Sequence, residues 1–149
     1  MSFGVNRVDT IRALIAGSVI SNSQTYQKIA SEWDEVKTAS STKPKPRARL
    51  LCVIHATRAL DGTLKNFVKE SGIQCSGHSM GAYLHALMNH NVQNLNQLTT
   101  SQRTSFQNNI VSHRNRYMHE PGEFPASDHE VRTIISNIHT CVTVVLALR

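Results

Sequence analysis

The sequence predicts an all-α protein, an antiparallel bundle of four main helices with one short helix added. Three observations predict it. Apolar residues recur at steps of three and four along four separate stretches, the period of a helix with one face turned inward. Nowhere do apolar and polar residues alternate as they do along a half-buried strand. Segments rich in Pro, Gly, Ser and amide side chains separate the stretches, near 40–46, 72–80, 91–100 and 120–125. At 149 residues the chain is long enough to bury a core without disulfide or metal staples, so residues 1–149 read as one domain.

Each element has its own justification. Val8, Ile11, Ile15 and Val19, then Tyr26, Ile29, Trp33 and Val36, mark a first helix from Val5 to about Ala39. Ser21, Asn22 and Ser23 interrupt its stripe, and a kink or turn belongs there. Residues 40–46, with Lys43, Pro44, Lys45 and Pro46, form a basic linker, since proline opposes helix and lysine keeps the segment in water. A second helix runs from Arg47 to about Ser71, with Leu50, Leu51, Ile54, Thr57, Leu60, Leu64, Phe67 and Val68 facing inward and Gly72 as its C-terminal cap. A short helix from Met80 to Asn89 carries Tyr83, Leu84, Leu87 and Met88. Thr99 followed by Gln102 is a capping box that opens a third long helix, and Ser127 with Glu130 repeats the pattern before a fourth. Val131, Ile134, Ile138, Cys141, Val142, Val145 and Leu148 stripe that last helix.

The formal charge is +6 and the isoelectric point about 9.6, a balance that favours an anionic partner such as nucleic acid. Cys52, Cys75 and Cys141 are an odd, scattered set, more like reduced intracellular thiols than a disulfide framework. The first residues lack the apolar run of a signal peptide, and no stretch has the length needed to span a bilayer. The expectation is a cytoplasmic protein with no membrane partner.

Several constellations compete for function. Gly77-His78-Ser79-Met80-Gly81 matches the Gly-x-Ser-x-Gly nucleophile elbow, but that elbow needs a buried strand leading into it. The preceding Ser71-Gly72-Ile73-Gln74-Cys75-Ser76 is polar, so Ser79 reads as a helix N-cap. Cys75, His78, His85 and His90 supply metal-binding side chains, yet His85 and His90 are five apart and diverge on a helix. They read as scattered surface histidines, and no metal site is assigned. His55, His129 and His139 have no acid or cysteine partner at useful spacing, and His55 reads as a histidine at the core's edge. There is no phosphate loop, dinucleotide motif or carboxylate cluster for magnesium, so no cofactor is expected. Phosphate chemistry here has to run without metal.

The densest chemistry lies in Ser112-His113-Arg114-Asn115-Arg116-Tyr117-Met118-His119-Glu120-Pro121-Gly122. Phe106, Ile110, His113 and Tyr117 recur at helical spacing before it. Pro121 disfavours helix at Glu120 and Gly122 permits a turn, so His119 falls in the last turn of the third long helix. Arginine offers phosphate a permanent positive fork, histidine titrates near neutrality and passes a proton, and asparagine both donates and accepts. Residues five apart on a helix point about 140° apart. Arg114 and His119 therefore share a target only where the helix frays or where a second copy of the chain completes the site.

Arg114-Asn115-x-x-x-His119 resembles the Arg-polar-x-x-x-His signature of the HEPN superfamily (higher eukaryotes and prokaryotes nucleotide-binding domains). There too it closes the third long helix of an all-α bundle. The resemblance covers the helix order of most of the chain, and by residue identity only the six-residue motif. It implies a HEPN-like bundle and a metal-independent endoribonuclease acting as a homodimer. Arg114 would hold the scissile phosphate, His119 would act as general acid or base, and Asn115 would orient Arg114 or the ribose. Arg116, His113, Lys43, Lys45 and Arg47 are further candidates for RNA contact. The family setting is a toxin or phage-defence effector restrained by an antitoxin or other regulatory protein. In one toxin subgroup a tyrosine lies two residues beyond the histidine, and Pro121 stands there here. The alternative is a catalytically inactive relative that binds RNA, a nucleotide or a protein.

Overall fold

The computed structural model describes residues 5–149, and among these it is helical with no strand. The first predicted helical stretch is broken once, at the interruption the polar triplet 21–23 marks, and forms two helices. Helix α1 (Val5–Ala16) ends at Gly17, and a single 3-10 turn (Val19–Asn22) reverses the chain into α2 (Tyr26–Ala39). Ser18, a few residues ahead of the polar triplet, makes the break. Its hydroxyl donates to the Ile15 carbonyl at 2.7 Å and accepts from the Ile20 N–H at 3.2 Å, so one short side chain stops α1 and caps the turn. The reversal lays α1 antiparallel to α2, with Arg12–Asp34 and Lys37–Asp9 pairs along the outside. Ile11, Ile15, Ile20 and Trp33 are fully enclosed.

Helix α3 (Lys45–Glu70) is the central element, touched by α1's 3-10 turn, α2 and every long helix that follows. It begins two residues earlier than the linker reading allows, because Pro46 sits in its first turn. There proline's missing N–H is no loss, its bond being one of those a helix start leaves unused. The buried face is also wider than the predicted stripe. Ala48, Cys52, Val53, Ala56, Ala59 and Thr63 are enclosed, whereas Leu50, Leu51 and Ile54 are only partly covered. Small residues let neighbouring helices close in: a Cβ on Gly62 would stand 3.0 Å from Ile29 Cγ1 of α2. At the far end Gly72 adopts φ +72°. Its N–H bonds the Lys69 carbonyl and that of Ile73 bonds Val68, closing the helix as a Schellman cap.

Helix α4 (Met80–Asn89) follows a loop, and α5 (Thr100–Phe106) opens on the predicted capping box, Thr99 and Gln102 bonding each other's backbone N–H at 3.0 Å. A π-turn (Gln107–Val111) then carries the chain without a gap into α6 (Ser112–His119). The turn holds one residue more than an α-helical turn, so Ile110 and Val111 are both buried and the face that α6 presents is rotated relative to α5. Helix α7 (Asp128–Leu146) buries its predicted stripe from Val131 to Val145 and Ile135 besides, while Leu148, also buried, lies past its end. Asp128 at its start bonds Lys45 and Arg49 of α3, and the two helices run in the same direction, with α2 and the α5–α6 run opposed. No helix among the described residues is long and apolar enough to cross a membrane.

Candidate functional site

The end of α6 is fastened to the start of α7. Tyr117 is buried and its hydroxyl donates to Glu130 Oε1, while Glu130 Oε2 accepts the Ala126 N–H at 2.6 Å. Glu130 thus departs from the predicted box: the Ser127 hydroxyl caps the Glu130 N–H at 3.1 Å, but the carboxylate reaches one residue further back. Arg116 completes the knot. Its guanidinium lies 4.7 Å over the Tyr117 ring, donates to the phenol oxygen at 2.8 Å and stands 3.4 Å from Glu123 and 3.6 Å from Glu130. Burial alone would raise the Glu130 pKa, but the Tyr117 hydroxyl, the Ala126 N–H and the charges of Arg116 and His113 outweigh it, leaving the carboxyl below its usual range. Burial, then the bond to Glu130, pushes Tyr117 up to about 12.

This knot sets the two motif side chains. Arg114 is half-buried and turned toward α3, with Nη1 donating to Asn115 Oδ1 at 3.1 Å. It forms one wall of a groove of about 450 Å³ otherwise lined by α2, the residue preceding it and α3. His119 is exposed at the helix end, away from that groove. The helix does not fray between them: α6 is regular through His119, and the Glu120 N–H still bonds the Arg116 carbonyl at 3.1 Å. Glu120 then turns extended before Pro121, and Gly122 takes φ +78°. Within one chain Arg114 and His119 therefore do not converge. Among the described residues Met118 and Phe124, 42% and 45% exposed, are the large apolar side chains most open to solvent, and both lie at this helix stop.

The remaining predicted residues divide. His113 stacks on Tyr117 at 6.5 Å and Arg116 is spent on the knot. Lys45 is bound to Asp128 at 2.8 Å, whereas Lys43 and Arg47 are exposed at the start of α3. Asp61, the α3 carboxylate on which the Arg114 charge acts, lies about 18 Å along the helix from Arg49, and the basic linker is not part of the groove. Ser79 is an N-cap, its hydroxyl accepting from the Ala82 N–H at 3.1 Å, with loop rather than strand before it.

Two histidine readings need correction. His90 is buried, not on the surface, and its ring is used on both sides, by the Asn96 carbonyl at 2.9 Å and the Val92 N–H at 3.1 Å. His55 has an acid partner after all, Glu32 of α2 at 3.0 Å, because packing brings together residues 23 apart. No cluster of three or more metal-binding side chains stands among the described residues. Burial lifts the Cys52 thiol to about 12, with Asp128 adding to it, and lifts Cys141 as well, which makes both core thiols inert.

Sequence reasoning missed the groove facing Arg114. Its polar lining includes Lys28 and Glu32 from α2 and Arg58, Asp61, Lys65 and Asn66 from α3. A signal was present, since Arg58, Asp61 and Lys65 share one helical face at steps of three and four. Burial raises the Asp61 pKa, while Arg114 and Lys65 pull it back. No protein-family model, curated protein or solved structure matches this chain.

Proposed function

We propose that this chain is a HEPN-type endoribonuclease that works as a homodimer, with a HEPN-like bundle as its scaffold. The observation that carries the reading is the regular helix between Arg114 and His119, which keeps an arginine and a histidine of one chain from meeting on one phosphodiester. A twofold mate removes the difficulty, because an isologous contact brings the same patch of both copies together. The exposed Met118 and Phe124 beside the helix stop supply apolar area for it.

In that cleft Arg114 grips the scissile phosphate and stabilises the charge that builds on it; losing one such preorganised donor costs about 3–4 kcal/mol. Asn115, bonded to Arg114 at 3.1 Å, orients the guanidinium. The partner's His119 takes the proton of the ribose 2′-hydroxyl as that oxygen attacks phosphorus, then passes it to the departing 5′-oxygen, leaving a 2′,3′-cyclic phosphate and a 5′-hydroxyl. The twofold gives two such sites, each pairing the Arg114 of one copy with the His119 of the other. Proton transfer of this kind supplies roughly 10²–10⁴-fold. DNA lacks the attacking hydroxyl and is left intact. The setting is a cytoplasmic toxin or phage-defence effector held by a restraining partner.

The test is labelled RNA incubated with the protein and a chelator. Cleavage is expected, and is expected to vanish in Arg114→Ala and in His119→Ala while both variants stay folded. Cleavage that needs magnesium, or that survives in both variants, overturns the reading. Salt-dependent RNA binding without product points instead to the inactive binding module.

A further inference from the structure

The groove beside Arg114 holds an unusual mixture of charges. Lys28 and Lys65 stand exposed on its rim, and Arg114 forms its third cationic side. Arg58 and Glu32 largely cancel, since Glu32 takes the Arg58 guanidinium at 2.5 Å and His55 at 3.0 Å. Asp61 is then the one carboxylate of the lining left over. It is partly buried, lies in the field of Arg114 and Lys65, and makes no hydrogen bond or ion pair with any described residue. The floor is apolar and close-packed, formed by Ile29 against Gly62. A ligand that fits must bring negative charge for the three cations and N–H donors for one recessed carboxylate, in a space suited to a small planar group.

A nucleotide of single-stranded RNA has that make-up, a phosphate on each side of a base whose edge is free. Among the bases, guanine presents two adjacent N–H donors, N1–H and N2–H, that a carboxylate accepts in a bidentate pair; adenine, cytosine and uracil present no such pair on that edge. We propose that this groove is a guanine subsite for the RNA, with Asp61 accepting from the base and Lys28 and Lys65 on the flanking phosphates. The inference deepens the ribonuclease reading and rests on it for the identity of the ligand. Arg114, shared by groove and motif, places the recognised nucleotide next to the cleaved phosphate. Asp61 is then the residue that sets specificity, and the predicted enzyme cuts beside guanine.

The experiment separates this claim from catalysis by using RNA that cannot react. Fluorescently labelled oligonucleotides carrying 2′-O-methyl groups throughout, adenine-rich with a single central guanine or with none, are titrated against the full chain. The guanine-bearing strand is expected to bind about ten-fold tighter. Asp61→Asn, which keeps the shape but not two acceptors, is expected to erase that preference. Lys65→Ala is expected to weaken both strands alike. Equal binding of the two strands, no binding of either, or a preference that survives Asp61→Asn overturns the subsite. If the preference holds and vanishes in Asp61→Asn while natural RNA is never cut, the subsite stands and the nuclease reading falls. If natural RNA is cut without regard to guanine, the reverse is true.

Discussion

Arg114 and His119 sit five residues apart on one helix and occupy opposite environments. Arg114 is half-buried, bonded to Asn115 and turned toward a wall of α2 and α3 side chains; His119 stands in solvent where the helix stops. The first is positioned by its own chain, and the second is fixed only through the Tyr117–Glu130 knot two residues before it. The difference teaches that one helix can hand two neighbouring side chains to separate surroundings, so that a single copy does not bring them together.

The largest expected effect breaks the comparison outright. A mixture of Arg114→Ala and His119→Ala chains, each inactive alone, regains about a quarter of wild-type cleavage if the two groups meet across a twofold axis and subunits exchange freely. Half the dimers are then mixed, and each has one of its two sites whole. No recovery means that the pair acts within one chain.

Next in size is the knot. Tyr117→Phe removes the hydroxyl that Glu130 and Arg116 share, and about 1–3 kcal/mol of stability should go with it, read by chemical denaturation. Because His119 hangs beyond that anchor, cleavage rate should fall more than RNA affinity. Equal losses in both would mean that the knot serves stability alone.

Two smaller effects have opposite signs with pH. Burial raises the Asp61 pKa, so the wild-type protein holds its full stability below the usual carboxylate range and loses some as pH rises through the raised value. Asp61→Asn should therefore be the more stable protein at neutral pH, by a margin that solvent screening keeps small, with the gap closing in acid. Asp128 is the converse. Its bonds to Lys45 and then Arg49 hold its pKa down, so its contribution is present above the ordinary range and is lost as pH falls through the depressed value. Asp128→Asn should be the less stable protein at neutral pH, and the difference should shrink on acidification in thermal melts at a series of pH values.

The helices were legible because each announces itself locally. The Thr99–Gln102 box, the Gly72 cap, the Ser79 cap and the Pro121 stop depend on a few consecutive residues, and such signals survive without knowledge of what packs where. The placement of Arg114 and His119 on one helix that stops before Pro121 was legible for the same reason. The break near residues 21–23 was legible from the interrupted stripe, but the part of Ser18 in it was not, since that rests on a hydroxyl bonding its own backbone. Nor was the breadth of α3's buried face, because Ala48, Ala56 and Ala59 say nothing of their surroundings until other helices close on them.

The amino-acid sequence by itself determined the helical class, the caps and stops, and a guanidinium and an imidazole brought to the end of one helix. Only tertiary structure decided what each of them faces. Glu32 meets His55 and Arg58, Arg114 meets the field of Asp61, and Tyr117 meets Glu130 through packing between helices. Helical periodicity records which face of an element is apolar, and carries no information about which charged side chain of another element will stand opposite it.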